Sequence, residues 1–289
     1  MFSNYHSHCF LCDGRASMEE FVKFAIAKNV KKYGFSSHAP LPFLTSWTMK
    51  ADDFSEYKND FERLKIKYQD EIELYFGLEV DYIHNYSSLN NDFFRDKTFD
   101  YLIGSIHYVD KIPNGQFWNI DGSDLKEFDN GLQKIFDGDI KAAVKRFYDI
   151  SKAMIEQGGF DIVGHIDKIA MNAQTYPEFN PSEKWHVQLV EETLCLAKEK
   201  GMIVEINTKS FADKGFTFPH QRYFDFINDQ KIPIVVNSDC HFPSNVIDSF
   251  PQIFDLLKKS GFKFVQQLTI NGWEGMKFDE NGILPSFRA

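Results

Sequence analysis

Seven short apolar runs alternate with stretches of helical period along the 289 residues, and six of the seven carry a histidine or a carboxylate at or near the C-terminal end. Bounded by turn-forming residues, the runs predict strands over Phe2–Cys9, Lys32–His38, Ile72–Tyr82, Tyr101–Tyr108, Asp161–Asp167, Met202–Thr208 and Ile232–His241. Between them the apolar period predicts helices over Ser17–Asn29, Asp52–Gln69, Asp139–Gln157, Pro181–Lys200, Pro219–Asp229 and Val246–Lys259. Ser17 and Glu20 form a capping box that starts the first of these. Strand and helix in regular alternation imply an α/β fold with a parallel sheet, either open and doubly wound or closed into a barrel. Phe264–Ile270 adds a further strand, and the polar tail beyond Trp273 reads as an irregular cap. Ile112–Gly138, rich in Asp, Asn and Gly, reads as an irregular insertion that shapes a substrate mouth. No long Pro/Gly/Ser linker divides the chain, so residues 1–289 read as one domain.

Where the polar residues fall matters more than how many there are. In a closed parallel barrel the C-terminal ends of all strands converge on one face, where active sites of that architecture lie. His6 and His8 are one residue apart on a strand, so both side chains leave the same face. Alone, such a pair is ordinary strand-end polarity, and a lone His107 or His165 is an ordinary hydrogen-bonded histidine. Here, however, His38 closes F-S-S-H, Glu79 sits in G-L-E-V-D, His107 ends G-S-I-H, His165 lies in V-G-H-I-D, and Asp239 and His241 close S-D-C-H. Six of the nine histidines thus meet on one face. Asp13, in the C-D-G loop after the first strand, joins them as an oxygen donor. Imidazole and carboxylate together suit zinc, manganese or iron. Asp81 shares a strand face with Glu79 and is placed to hydrogen-bond a liganding histidine. His84, beyond the strand end, and His186, in a polar helix, receive no role.

The formal net charge of −10 argues against general affinity for nucleic acid or an anionic membrane. A bound phosphate therefore needs a local positive centre, which metal ions would supply. Cys9, Cys12, Cys195 and Cys240 make neither the two C-x-x-C units of a structural zinc site nor a disulfide framework, which fits a reducing cytoplasm. The N-terminus lacks a basic segment followed by an apolar one, and no stretch is apolar enough to span a bilayer, so the chain reads as soluble and cytoplasmic. Strand alternation turns Cys9 and Cys240 away from the neighbouring histidines and into packing.

The pieces H-S-H, D-G, S-S-H-A-P, G-L-E-V-D-Y, S-I-H, G-H-I-D and S-D-C-H occur in the order and at the spacing of the PHP family, named for its polymerase-associated and histidinol-phosphatase members. The chain resembles that family from His6 through His241, and S-S-H-A-P-L-P with G-L-E-V-D-Y is most similar to the histidinol-phosphate phosphatase branch. The resemblance implies a distorted seven-stranded (β/α)7 barrel holding three divalent metal ions. It assigns His6, His8, Glu79 and Asp239 to the first ion, with Glu79 bridging to a second that His107 and His165 also hold. Asp13, His38 and His241 would bind the third. The implied activity is hydrolysis of a small phosphorylated metabolite, L-histidinol phosphate, to L-histidinol and phosphate in histidine biosynthesis. Glu79 and Asp239 would act in catalysis with a metal-bridging hydroxide, since adjacent ions acidify a shared water and clamp the phosphoryl oxygens.

Charges beyond the metals must orient such a substrate. Arg15 after the Asp13-Gly14 turn, Lys168 after G-H-I-D and Lys209 after the sixth strand are the candidate phosphate contacts. His220, in F-P-H-Q-R, is the candidate proton donor to the leaving alcohol. Members of the branch carry arginine just before the G-H motif, where this chain has Gly158, Gly159, Phe160 and Asp161. Three other readings compete. One is a phosphatase of the same family acting on a nucleotide, a sugar phosphate or a phosphotyrosyl protein. Another is a nuclease, against which the acidic balance and the missing basic stripe weigh. The third is a noncatalytic, metal-bound scaffold.

Overall fold

Seven parallel strands are hydrogen-bonded in chain order in the computed structural model, which describes residues 1–122 and 124–285. They are β1 (Phe2–Asn4), β2 (Val30–Phe35), β3 (Glu73–Asp81), β4 (Tyr101–Ser105), β5 (Ile162–Val163), β6 (Ile203–Asn207) and β7 (Ile234–Asn237). Beyond the strand ends the last run meets the first. Ser7 forms a parallel bridge with Cys240, the His8 N–H donates to the Cys240 carbonyl at 3.0 Å, and the Cys240 N–H donates to the His6 carbonyl at 3.3 Å. Sequential order with this closure makes a distorted (β/α)7 barrel and removes the doubly wound alternative, whose first strand lies inside the sheet.

Several strands are shorter than their apolar runs. β5 keeps only Ile162 and Val163, and β7 stops at Asn237. The chain leaves extended geometry where the polar residues begin: His165 has φ +20° and Asp239 φ +49°, both in the left-handed region that non-glycine residues avoid. The expected strand ends are therefore loop residues curled over the mouth.

The outer layer comprises helices over Met18–Ala27, Phe54–Lys67, Ile140–Gln157, Lys184–Glu199 and Phe250–Lys259. Ser17 and Glu20 make the reciprocal capping box. The final helix starts four residues late because Ser249, at φ +62°, breaks the turn before it. The Pro219–Asp229 stretch holds only a 3-10 turn, Gln221–Tyr223, and a short helix, Phe224–Asp229. Phe21, Leu64, Val144, Leu194 and Phe254 are buried in the core between this layer and the sheet. Each such side chain contributes roughly 1.5–3 kcal/mol by leaving water.

Two expectations of irregularity do not hold. The Ile112–Gly138 insertion contributes a strand, Phe117–Asn119, paired antiparallel with Tyr108–Lys111, and then a helix, Leu125–Phe136, capped by Asp124. Its Asp and Gly content hides a helical stripe: Phe128 and Leu132 are buried, and Trp118 packs on Phe128 with centroids 5.0 Å apart. Gly131 is required there, because a Cβ would fall 2.0 Å from the Trp118 ring. The tail is ordered as well: Phe264–Thr269 pairs with Gly272–Asp279, which pairs with Gly282–Ile283. This hairpin plugs the barrel end opposite the histidines. Leu268 joins Tyr5, Tyr101, Ile103, Ile162, Ile203 and Val235 in an inner core, and the Tyr5 hydroxyl accepts the Leu268 N–H at 3.0 Å. With one end filled by apolar groups, the polar residues have only the other end to occupy.

Candidate metal centre

Glu79, at the C-terminal end of β3 and 1% exposed, is the hub of that end. Its Oε2 lies 3.1 Å from His6 Nε2, 3.6 Å from His8 Nε2 and 3.0 Å from His38 Nδ1. Oε1 lies 2.9 Å from His165 Nε2 and 3.7 Å from His107 Nε2, and it accepts the Ser105 hydroxyl at 2.6 Å. Asp239 Oδ1 stands 3.2 Å from His8 Nε2 and 3.8 Å from His6 Nε2. Asp13 completes the cluster, with Oδ2 3.2 Å from His241 Nε2 and Oδ1 3.7 Å from His38 Nε2. Of the nine sequence candidates for metal binding, Asp13, His38, His107, Asp239 and His241 line one cavity of about 290 Å³ together with Trp47, Asn119, Asp121, Gly122 and Lys209, and His6, His8, Glu79 and His165 join that cluster through the contacts above.

Three subsets place their donor atoms within 4.8 Å of one another: His8, Asp13, His38 and His241; His6, His8 and Glu79; and His38, Glu79 and His107. His6 Nε2, His8 Nε2, Asp13 Oδ1 and His38 Nδ1 are buried without a hydrogen-bond partner. Each unmatched buried polar atom costs about 1–3 kcal/mol, so four facing one another mark a place built for a cation. Electrostatics agrees. Burial raises the carboxyls of Glu79 and Asp239, but the histidines around Glu79, and Lys209 and His6 beside Asp239, hold both well below the carboxylate range, so both are anionic. Burial, with His241 and His38, holds His8 well below its ordinary value and leaves it neutral with a lone pair to give. Burial would lower His6 too, yet Glu205, Glu79 and Asp239 raise it well above, so this point of the cavity favours positive charge. The donor set and its field fit divalent metal ions.

The donors are held from behind. Asp81 accepts from His107 Nδ1 at 2.8 Å, the contact that its shared strand face suggested. Glu205, fully buried in β6 and overlooked in the sequence, accepts from His6 Nδ1 at 2.6 Å, from the His165 N–H at 3.0 Å, and from the side-chain amides of Asn207 and Asn237 at 3.1 and 3.0 Å. Burial raises its carboxyl, but His6 brings it below the usual value, so it accepts as an anion and fixes the proton on His6 Nδ1. Gly164 in the G-H motif is also dictated by this packing, because a Cβ would fall 2.5 Å from the Ser105 hydroxyl that serves Glu79.

The cationic candidates divide. Lys209 Nζ is 3.0 Å from Asp239 Oδ1. Lys168, 3% exposed, pairs at 3.0 Å with Asp121 Oδ1, a cavity residue that the Asp/Asn/Gly-rich insertion concealed. Arg15 is exposed and does not line the cavity; its backbone N–H donates to the His241 carbonyl at 2.7 Å. His220 is not brought to the centre either. It lines a separate small pocket, its Nδ1 accepts the Arg222 N–H at 3.1 Å, and burial with Arg222 lowers it to about 4, so it carries no proton to donate near neutral pH. Cys9 and Cys240 are buried among Ser37 and Tyr33 respectively, away from the cavity lining.

A seven-stranded barrel whose open end gathers histidines and carboxylates around a shared glutamate defines a metal-dependent hydrolase. The PHP domain matches residues 4–209, and the chain belongs to the PHP family. It is 27% identical over 290 residues to the histidinol-phosphatase of Lactococcus lactis, covering 96% of each chain. It is 26% identical over 262 residues to that of Bacillus subtilis, covering 83% of this chain and 94% of the relative. The fold is similar to the crystal structure of the Lactococcus lactis histidinol phosphate phosphatase complexed with zinc, L-histidinol and phosphate, with TM-score 0.72 and 22% identity over 98% of this chain and 99% of the other.

Proposed function

We propose that the chain is a metal-dependent histidinol-phosphatase that converts L-histidinol phosphate and water to L-histidinol and phosphate, a step of histidine biosynthesis in the cytoplasm, with residues 1–289 acting as one catalytic domain. The observation that carries this reading is the placement of Glu79 between two sets of histidines, with both carboxylate oxygens engaged. His6, His8, Glu79 and Asp239 would hold one ion, Glu79, His107 and His165 a second, and Asp13, His38 and His241 a third, zinc being the first choice and manganese or iron the others. Such ions neutralise phosphoryl oxygens and acidify the attacking water.

The rest of the work falls to the chain. Asp81 and Glu205 fix the rings of His107 and His6 so that each Nε2 faces inward. Lys209 and Lys168 bring two ammonium groups to the mouth for the phosphate. Next to the metal cavity, and sharing Trp47 and Asn119 with it, opens a cleft of about 760 Å³ lined by Phe43, Tyr86, Tyr108 and Phe117. Trp47 stacks on Tyr108 with centroids 5.8 Å apart, and Phe43 on Phe117 at 5.3 Å. These flat faces suit the imidazole ring of the leaving alcohol.

The test is kcat/KM for the zinc-, manganese- or iron-loaded protein on L-histidinol phosphate, 4-nitrophenyl phosphate, a sugar phosphate, a nucleotide and a phosphotyrosyl peptide. L-Histidinol phosphate should lead by about 100-fold or more. Another ester in the lead would replace the substrate, and inertness toward all of them would remove the enzyme reading.

A further inference from the structure

Three carboxylates line the metal cavity: Asp13, Asp239 and Asp121. The first two face histidine nitrogens at 3.2 Å. Asp121 differs. Its near partner is Lys168, at 3.0 Å, and the closest histidine atom, His107 Nε2, is 3.9 Å from it. It is also held in place: its N–H donates to Asn119 Oδ1 at 2.8 Å, and Asn119 lines both the metal cavity and the aromatic cleft. The carboxylate is thus a metal-cavity group tied to the residue that the cavity shares with the aromatic cleft.

We propose that Asp121 is a specificity-determining residue that pairs with an ammonium group next to the ester carbon, so that the site selects phosphate esters of 2-amino alcohols. The proposal rests on the phosphatase reading and names the feature of the substrate that the site recognises. Charge balance carries the argument. An incoming phosphate dianion draws Lys168 and Lys209 toward itself. Asp239 then still has His6 and His8 beside it, whereas Asp121, three-quarters buried, loses its close partner. With His107 Nε2, at 3.9 Å, then its nearest basic group, so weakly paired a carboxylate in such a place is costly. An ester bearing its own ammonium group fills the gap that the phosphate opens. A neutral ester, with the same ring and phosphate, leaves the carboxylate without a close partner.

The experiment uses the zinc-loaded protein with L-histidinol phosphate and its deamino analogue, 3-(imidazol-4-yl)propyl phosphate. The wild type should favour the amino ester, and Asp121→Asn should reduce the ratio of the two kcat/KM values by about tenfold or more, chiefly through KM, with zinc content at the wild-type level. Asp121→Glu, which keeps the charge, should restore part of the ratio. An unchanged ratio in Asp121→Asn, with both esters slowed alike, would overturn the proposal in favour of a role confined to Lys168. Loss of zinc would overturn it in favour of metal binding. Product inhibition of the wild type gives a check that needs no variant: L-histidinol should inhibit about tenfold more strongly than 3-(imidazol-4-yl)propanol, and equal inhibition overturns the pairing. Turnover of both esters without preference removes the role of Asp121 alone. Inertness toward both removes the phosphatase reading and this proposal with it.

Discussion

Glu205 accepts a 2.6 Å hydrogen bond from His6 Nδ1 with one oxygen and a 3.0 Å bond from the backbone N–H of His165 with the other. One carboxylate thus ties together donors from opposite sides of the barrel, and it does so at a residue with φ +20° that needs an external hold. Every partner of Glu205 is a donor. Gln at this position turns an NH2 group toward one of them and leaves it unmatched. Glu205→Gln should therefore weaken zinc binding about 10- to 100-fold, measured by chelator competition, with activity recovering in part at high zinc. Unaltered zinc affinity would remove the positioning role.

Removing the hub should be more severe. Glu79→Gln keeps the shape of the side chain but discards the charge that faces His6 and His38 through one oxygen and His165 through the other. Activity should fall by at least about 100-fold, with fewer ions retained per chain by elemental analysis. Full turnover with unchanged metal content would show that the carboxylate charge is dispensable.

The contrast between these two glutamates explains what was legible in the sequence. Glu79 sits at the end of an apolar run, and strand ends of a barrel share a face, so Glu79, His107, His165 and Asp239 could be gathered without coordinates. Glu205 lies in the middle of M-I-V-E-I-N-T, where an apolar run reads as packing. The signal was present nonetheless: a charge inside a buried strand, sharing a face with Asn207, calls for partners inside the barrel. Asp121 and the helix at Leu125–Phe136 were obscured for another reason. Local Asp, Asn and Gly imply turns, while the stripe through Phe128 and Leu132 gains its meaning only from Trp118 packed against it. Arg15 and His220 show the reverse error, since adjacency to a motif in the chain does not fix the direction of a side chain.

Phosphate recognition should separate the cations. Lys168→Met and Lys209→Met each remove an ammonium group held within 3.0 Å of a cavity carboxylate, and each should lower kcat/KM for L-histidinol phosphate by about tenfold or more. Arg15→Ala, at an exposed position outside the cavity lining, should change it by less than about threefold. A larger effect of Arg15 than of either lysine would reverse this assignment.

Asp167 gives the fold a pH dependence of its own. It is 3% exposed, one oxygen accepts the His220 N–H at 2.8 Å, the other has no partner, and burial raises its carboxyl from 3.8 to about 7. A folded-state value above the unfolded one means that the neutral form is favoured in the native protein. Its contribution is complete below about pH 4 and is lost as pH rises through about 7. Asparagine at this position can still accept from His220 but cannot ionise. Between pH 5 and 8, urea unfolding of the metal-free proteins should show the wild type losing stability relative to Asp167→Asn, by about 1–4 kcal/mol at roughly 1.4 kcal/mol per unit. Parallel stability curves over that range would mean that Asp167 titrates as an ordinary carboxylate.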